Sequence, residues 1–115
     1  FLTPYVSDVS EHLIEEVNSN GIRTTVTASF DEKNEASVAR IRPTSIVDAV
    51  NELYSGQSAI FISCTNLQTF TIIEEIEKKC GCICFSSNQV LIWQMLRLAE
   101  IDHNLRGYGK LLSKS

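Results

Sequence analysis

The chain lacks an excess of basic residues: 10 Lys and Arg stand against 14 Asp and Glu, for a net charge of -4 and a sequence pI of about 5.1. That balance excludes the basic face on which nucleic-acid binding rests. It also lacks an uncharged apolar run of the roughly 20 residues that a helical membrane span requires. The opening Phe1-Leu2-Thr3-Pro4-Tyr5 has neither the basic start nor the apolar core of a secretory signal. Cysteine is sparse and clustered: Cys64 stands alone, while Cys80, Cys82 and Cys84 fall within five residues. A secreted disulfide framework spreads its cysteines along the chain, so a reducing cytosol is the expected compartment. Internal repeats and low-complexity segments are lacking too. There is no initiator Met, and Phe1-Leu2 reads as the cut end of a strand, so the chain is expected to begin inside a larger protein.

What is present suits one compact domain. The chain has 115 residues, of which 43% are hydrophobic and 21% charged. Phe1 to Thr3 ends a buried strand, which Pro4 keeps from continuing as a central one. Ser7 or Asp8 can cap the next helix, with Glu11 three residues after Asp8 and with Val9, Leu13 and Val17 on one apolar face. Gly21 suits its end. The β-branched stretch Ile22 to Ala28 reads as the second strand. A long polar connection, Phe30 to Arg40, follows; long loops of this kind are often functional.

Pro43-Thr44 opens a helix with Ile46, Val50 and Leu53 on one face, ended by Ser55-Gly56. Ser58 to Ser63 is a short apolar run of the type buried on both faces of a sheet. Leu67, Phe70, Ile73 and Ile76 mark a third helix ending at Lys78-Lys79 and Gly81, and this start would place Cys64 at a helix N-terminus. Cys82 to Phe85 is the fourth strand. Ser86-Ser87-Asn88 caps a fourth helix, Gln89 to Ala99, carrying Leu91, Met95 and Leu98. Asp102 to Ser115 reads as an irregular tail.

The alternation predicts an α/β fold: a four-stranded parallel sheet with helices on both faces, a flavodoxin-like lobe. Ligands of such sheets bind beyond the carboxyl ends of the strands. That rule selects Pro4-Tyr5, Phe30 to Asn34, Cys64-Thr65-Asn66 and Ser86-Ser87-Asn88.

Cys64 is the leading candidate for chemistry, read either as an activated thiol or as a buried structural cysteine. Tyr5 could donate to a developing oxyanion or simply cover the sheet edge. Asn34 could bind a carboxylate through its amide or form a turn. Arg40 and Arg42 suit an anion or a solvated surface, and Trp93 suits the core. His12 and His103 read as surface residues, and Asp102-His103 are adjacent groups that seldom face one another. The Cys80-x-Cys82-x-Cys84 cluster has the wrong spacing for zinc, so no metal is expected.

These candidates coincide with motifs in a fixed order. They are Thr3-Pro4-Tyr5-Val6, Ser63-Cys64-Thr65-Asn66-Leu67-Gln68-Thr69, Ser86-Ser87-Asn88-Gln89 followed by Trp93, Leu96-Arg97, and Gly107-Tyr108-Gly109-Lys110-Leu111-Leu112. Together they resemble the second half of maleate cis-trans isomerases and arylmalonate decarboxylases, within the aspartate/glutamate/hydantoin racemase superfamily. The resemblance departs at Gly81-Cys82-Ile83-Cys84, which lacks a proline, and at Glu100, where glycine is usual.

The resemblance implies a cofactor-independent cysteine enzyme with two α/β lobes and a cleft between them. It casts residues 1–101 as the second lobe and 102–115 as a tail returning to a first lobe absent from this sequence. Cys64 would be the second-lobe acid/base and Tyr5 a donor to the substrate carboxylate. Asn34, Thr65 and Asn66 would bind substrate. The implied partners are a small carboxylate, the first lobe and, in a homo-oligomer, further copies. A lone lobe is expected to be inactive. A non-catalytic α/β binding or assembly domain is the alternative function.

Overall fold

The computed structural model describes residues 1–113. It contains β1 (Leu2–Tyr5), α1 (Ser7–Ser19), β2 (Ala28–Glu32), α2 (Glu35–Ala39), α3 (Pro43–Leu53), β3 (Ala59–Ile62), α4 (Ile73–Cys80), β4 (Ile83–Ser86) and α5 (Ser87–Leu98). The four strands form one parallel sheet in the order β2-β1-β3-β4. Because the path steps from β1 to β2 and then back past β1 to β3, right-handed crossovers set α1 on one face and α3 and α4 on the other. The expected α/β lobe is thus the observed one.

The register aligns the site. Leu2 pairs with Ala28 on one side and Ile62 on the other, and Ile62 pairs with Ser86. Tyr5, Cys64 and Ser87 therefore all emerge at the carboxyl end of the sheet. The core lies on the α3/α4 face, where Ile46, Val47 and Val50 of α3 and Ile73 and Ile76 of α4 pack over Leu2, Ile60, Ile62 and Cys84. On the opposite face Phe1, Phe61 and Phe85 form a row, with ring centroids 5.2 and 5.5 Å apart.

Several expectations are corrected. The second strand is Ala28–Glu32, sharing only Ala28 with the expected Ile22 to Ala28. Pairing overrides β propensity here: Thr24 is instead held by the Asn18 side chain through its N–H and its hydroxyl, each at 3.0 Å. α1 starts at Ser7 after Val6, without a side-chain cap. α4 starts at Ile73, so Leu67 and Phe70 belong to a turn-rich loop. On α5, the apolar Leu91, Met95 and Leu98 are exposed. Trp93 is half-buried, with the Arg97 guanidinium 4.6 Å from its ring centre.

The tail folds onto its own lobe. The buried Glu77 carboxylate accepts from Cys84 N–H at 3.0 Å and from Lys110 N–H at 2.9 Å. Gln89 donates its amide to the Tyr108 carbonyl, and Leu112 is fully buried. Glu100 adopts φ +55°, a conformation that glycine, the residue the resemblance would place there, takes without steric cost. The last two residues of the expected 102–115 tail lie outside the described residues.

Candidate functional site

Tyr5 is held from behind by two buried hydroxyls. Thr3 Oγ1 and Ser10 Oγ are 2.6 Å apart; Thr3 Oγ1 accepts from Tyr5 N–H at 3.1 Å, and Ser10 Oγ donates to the Tyr5 carbonyl at 3.2 Å. This fixes the end of β1, and with it the direction of the phenol. The phenol lies beside Cys64. Burial, the Cys64 thiol and the Glu35 carboxylate together push the Tyr5 pKa up to about 12.

Cys64 follows β3 by two residues and is 5% exposed. Its φ is +106°, a conformation L-residues seldom adopt. The Asn66 N–H points at its sulfur at 3.4 Å. Its own N–H donates to Ser87 Oγ at 3.0 Å. With α4 starting only at Ile73, the expected placement of Cys64 at a helix N-terminus is corrected: the donor at the sulfur is the Asn66 N–H, with the Tyr5 phenol nearby, not a helix end.

The other expected residues distribute as follows. Asn34 caps the short α2, its Oδ1 accepting from Ala36 N–H at 2.8 Å, and it lines a depression of 340 Å³ together with Tyr5, Glu35 and Val38. Asn66 gives its side-chain amide to the Glu35 carboxylate. Thr65 is exposed, and its carbonyl accepts from Asn88 Nδ2 at 2.9 Å. Tyr5, Cys64 and Asn66 are thus brought together, with Asn34 at the margin.

Sequence reasoning passed over Glu35, which no motif marks, and the individual roles of Ser87 and Asn88. Their position beyond β4 was the available signal. His12 is exposed on α1 beside Asp8, Glu11 and Glu15. The His103 ring approaches the Ile101 carbonyl at 3.5 Å. Arg40 and Arg42 are exposed.

All four cysteines are free thiols. Cys82 and Cys84 lie in the core and Cys80 at its margin, and burial raises the pKa of each of the three. Among the described residues no three His, Cys, Asp or Glu side chains gather in a way that could hold a metal ion. No helix among them is long and apolar enough to cross a membrane.

Comparison with known proteins agrees with this geometry. The chain is 28% identical to the arylmalonate decarboxylase of Bordetella bronchiseptica, over 98% of this chain and 49% of that protein. It is 22% identical to the maleate isomerase of Geobacillus stearothermophilus, over 97% and 45%. The chain therefore spans about half the length of the curated relatives it matches. Among solved structures, a cysteine-to-alanine variant of the maleate isomerase Iso of Pseudomonas putida S16 with maleate superposes with a TM-score of 0.95 at 19% identity, over 99% of this chain and 46% of that one. Unliganded arylmalonate decarboxylase superposes with a TM-score of 0.87 at 27% identity, over 99% and 51%. The arylmalonate decarboxylase profile matches residues 1–112, and the chain belongs to the arylmalonate decarboxylase family.

Proposed function

We propose that this chain is one lobe of a two-lobe, cofactor-independent cysteine enzyme. It moves a proton, or isomerises a double bond, next to a carboxylate, and Cys64 is its acid/base. The observation that carries the reading is the Asn66 N–H directed at the Cys64 sulfur, with the Tyr5 phenol beside it. A thiol that gives its proton to carbon leaves a thiolate, and both donors stabilise that charge. The developing negative charge on the substrate carboxylate takes a hydrogen bond from Tyr5. The Asn34 amide, the Thr65 backbone and Asn66 bind the same small carboxylate.

The names of the relatives support this class of substrate: one set decarboxylates arylmalonate and the other isomerises maleate. A Nocardia farcinica maleate cis-trans isomerase mutant carries a covalently bound succinylcysteine intermediate, so a cysteine meets substrate in that protein. Cys64 in this lobe is compatible with the isomerase, racemase and decarboxylase patterns alike. The facing group then comes from a first lobe, and the free thiols suit a reducing cytosol.

The test expresses the chain with its native upstream coding sequence and follows maleate, arylmalonate and amino-acid substrates by NMR in D₂O. Cys64→Ala should cost roughly 10²-fold or more in turnover or in exchange at the carbon next to the carboxylate. Full activity in that variant sinks the role of Cys64. An upstream region encoding no similar lobe sinks the two-lobe reading in favour of a non-catalytic binding domain.

A further inference from the structure

Cys64 holds a backbone conformation that must be imposed from outside. For a residue with a Cβ, a φ of +106° is sparsely populated and persists only where neighbours fix it. The neighbours that reach this turn are the first two residues of α5. Ser87 Oγ accepts the Cys64 N–H at 3.0 Å. Asn88 Nδ2 donates to the Thr65 carbonyl at 2.9 Å.

The second contact bears on the thiol directly. The Thr65 carbonyl and the Asn66 N–H belong to one planar trans peptide, so they point in opposite directions. Fixing the carbonyl on Asn88 aims the N–H, and that N–H is the one directed at Cys64 Sγ. A peptide whose carbonyl accepts a hydrogen bond is also a stronger donor at its N–H.

The clamp has a rigid base. Ser86 and Gln89 form a reciprocal capping box at the start of α5, and Thr69 Oγ1 donates to Ser86 Oγ at 2.9 Å. Ser86 and Gln89 are fully buried. The start of α5 is therefore tied to β4 on one side and to the loop after Cys64 on the other.

We propose that Ser87 and Asn88 are positioning residues: Ser87 holds Cys64 in its left-handed backbone, and Asn88 orients the Thr65–Asn66 peptide so that its N–H stays on the sulfur. The weight of this for catalysis rests on the reading of Cys64 as the reacting thiol. The alignment itself does not. The other ionisable groups at the sulfur are Tyr5, from β1, and Glu35, from α2 through its bond to Asn66.

The test is alkylation of the full chain by iodoacetamide across pH, with the Cys64-bearing peptide resolved by mass spectrometry so that Cys80, Cys82 and Cys84 do not interfere. In Ser87→Ala and Asn88→Ala the pH midpoint of Cys64 alkylation should rise by about half a unit or more, which slows labelling at neutral pH roughly threefold. Ser87→Thr, which keeps the acceptor, should restore the original midpoint. Unfolding midpoints taken alongside separate a shifted thiol from a loosened fold. Should Ser87→Ala fail to fold, Asn88→Ala decides by the same criterion. Folded variants that keep the wild-type midpoint overturn the proposal. Because alkylation needs no turnover, a clamp that passes while Cys64→Ala keeps full activity would leave the alignment standing and sink only the catalytic reading.

Discussion

The Asn66 backbone N–H is directed at the Cys64 sulfur from 3.4 Å, two residues along the chain. A contact this local depends on the path of the backbone, not on side-chain choice. Cys64, at φ +106°, sits in the turn that makes this contact. Tyr5 then approaches from another strand, and the site joins two adjacent strand ends of the sheet.

Tyr5 should ionise well above the ordinary tyrosine value of 10.0, near about 12, and it should drop in Glu35→Gln and in Cys64→Ala, since both groups raise it. The sign follows from linkage: the folded state keeps a proton that the unfolded chain releases near 10.0, so this stabilisation is complete below that pH and is lost as pH rises toward about 12. Ultraviolet difference titration of wild type against Tyr5→Phe reads the phenolate directly. A transition at 10.0 would remove the close thiol contact. In the proposed two-lobe protein, Tyr5→Phe should lower turnover by roughly a hundredfold if the phenol stabilises developing charge.

Glu77 offers a sharper stability experiment. Each of its carboxylate oxygens accepts one backbone N–H, from Cys84 and from Lys110. Glu77→Gln keeps one acceptor and sets an amide N–H₂ against the other donor, at a cost of about 1–3 kcal/mol. Urea unfolding gives the energy. Hydrogen exchange should show faster exchange at Lys110 or Cys84, and unchanged protection at both would mean that the bonds contribute nothing.

Gly109 and Gly56 form a matched pair. Both have positive φ, +88° and +96°, but a Cβ at Gly109 would lie 2.5 Å from Ile73 Cγ2, while none of the surrounding atoms comes within 4 Å at Gly56. Gly56→Ala should cost about 1 kcal/mol, the conformational cost alone. Gly109→Ala adds overpacking of about 1–3 kcal/mol and should loosen the tail. Equal unfolding midpoints for the two variants would contradict the close approach of the tail to α4.

Alkaline pH should destabilise the fold through Cys84. Its thiol is buried in the core, and burial, with Glu77 adding to it, raises its pKa far above the ordinary thiol value of 9.0. The unfolded chain loses this proton near 9.0 and the folded chain keeps it, so stability is present below that pH and declines above it. Denaturant midpoints between pH 8 and about 11 should fall less steeply in Cys84→Ala than in wild type, even if the variant starts lower because of its cavity. Parallel slopes would assign the decline to other groups.

The sequence carries the fold unevenly. Ser58 to Ser63 announces β3 because an uninterrupted apolar run flanked by polar turns has few other uses. β2 is displaced because Ile22 to Ala28 has the composition of a strand, yet register with Leu2 selects Ala28–Glu32, and only pairing reveals register. Leu67 and Phe70 continue the spacing of α4 although their backbone does not, since a loop can bury residues at the same intervals. Tyr5 and Cys64 are legible through their motifs and their places at strand ends. Glu35, Ser87 and Asn88 are not, because each acts through a partner at least 23 residues away in the chain. Glu77 is the least legible: a glutamate in an amphipathic helix reads as solvated, and only the returning tail buries it.

The middle of the sheet is made early and completed late. β1 is first along the chain, yet it lies between β2 and β3, and Leu2 waits for Ile62 before its second edge is covered. During synthesis, β1 therefore stays a half-covered template until β3 has been made. Closure over that span taxes chain entropy and slows assembly, so changes that weaken β3 should delay folding more than changes of equal cost in α5.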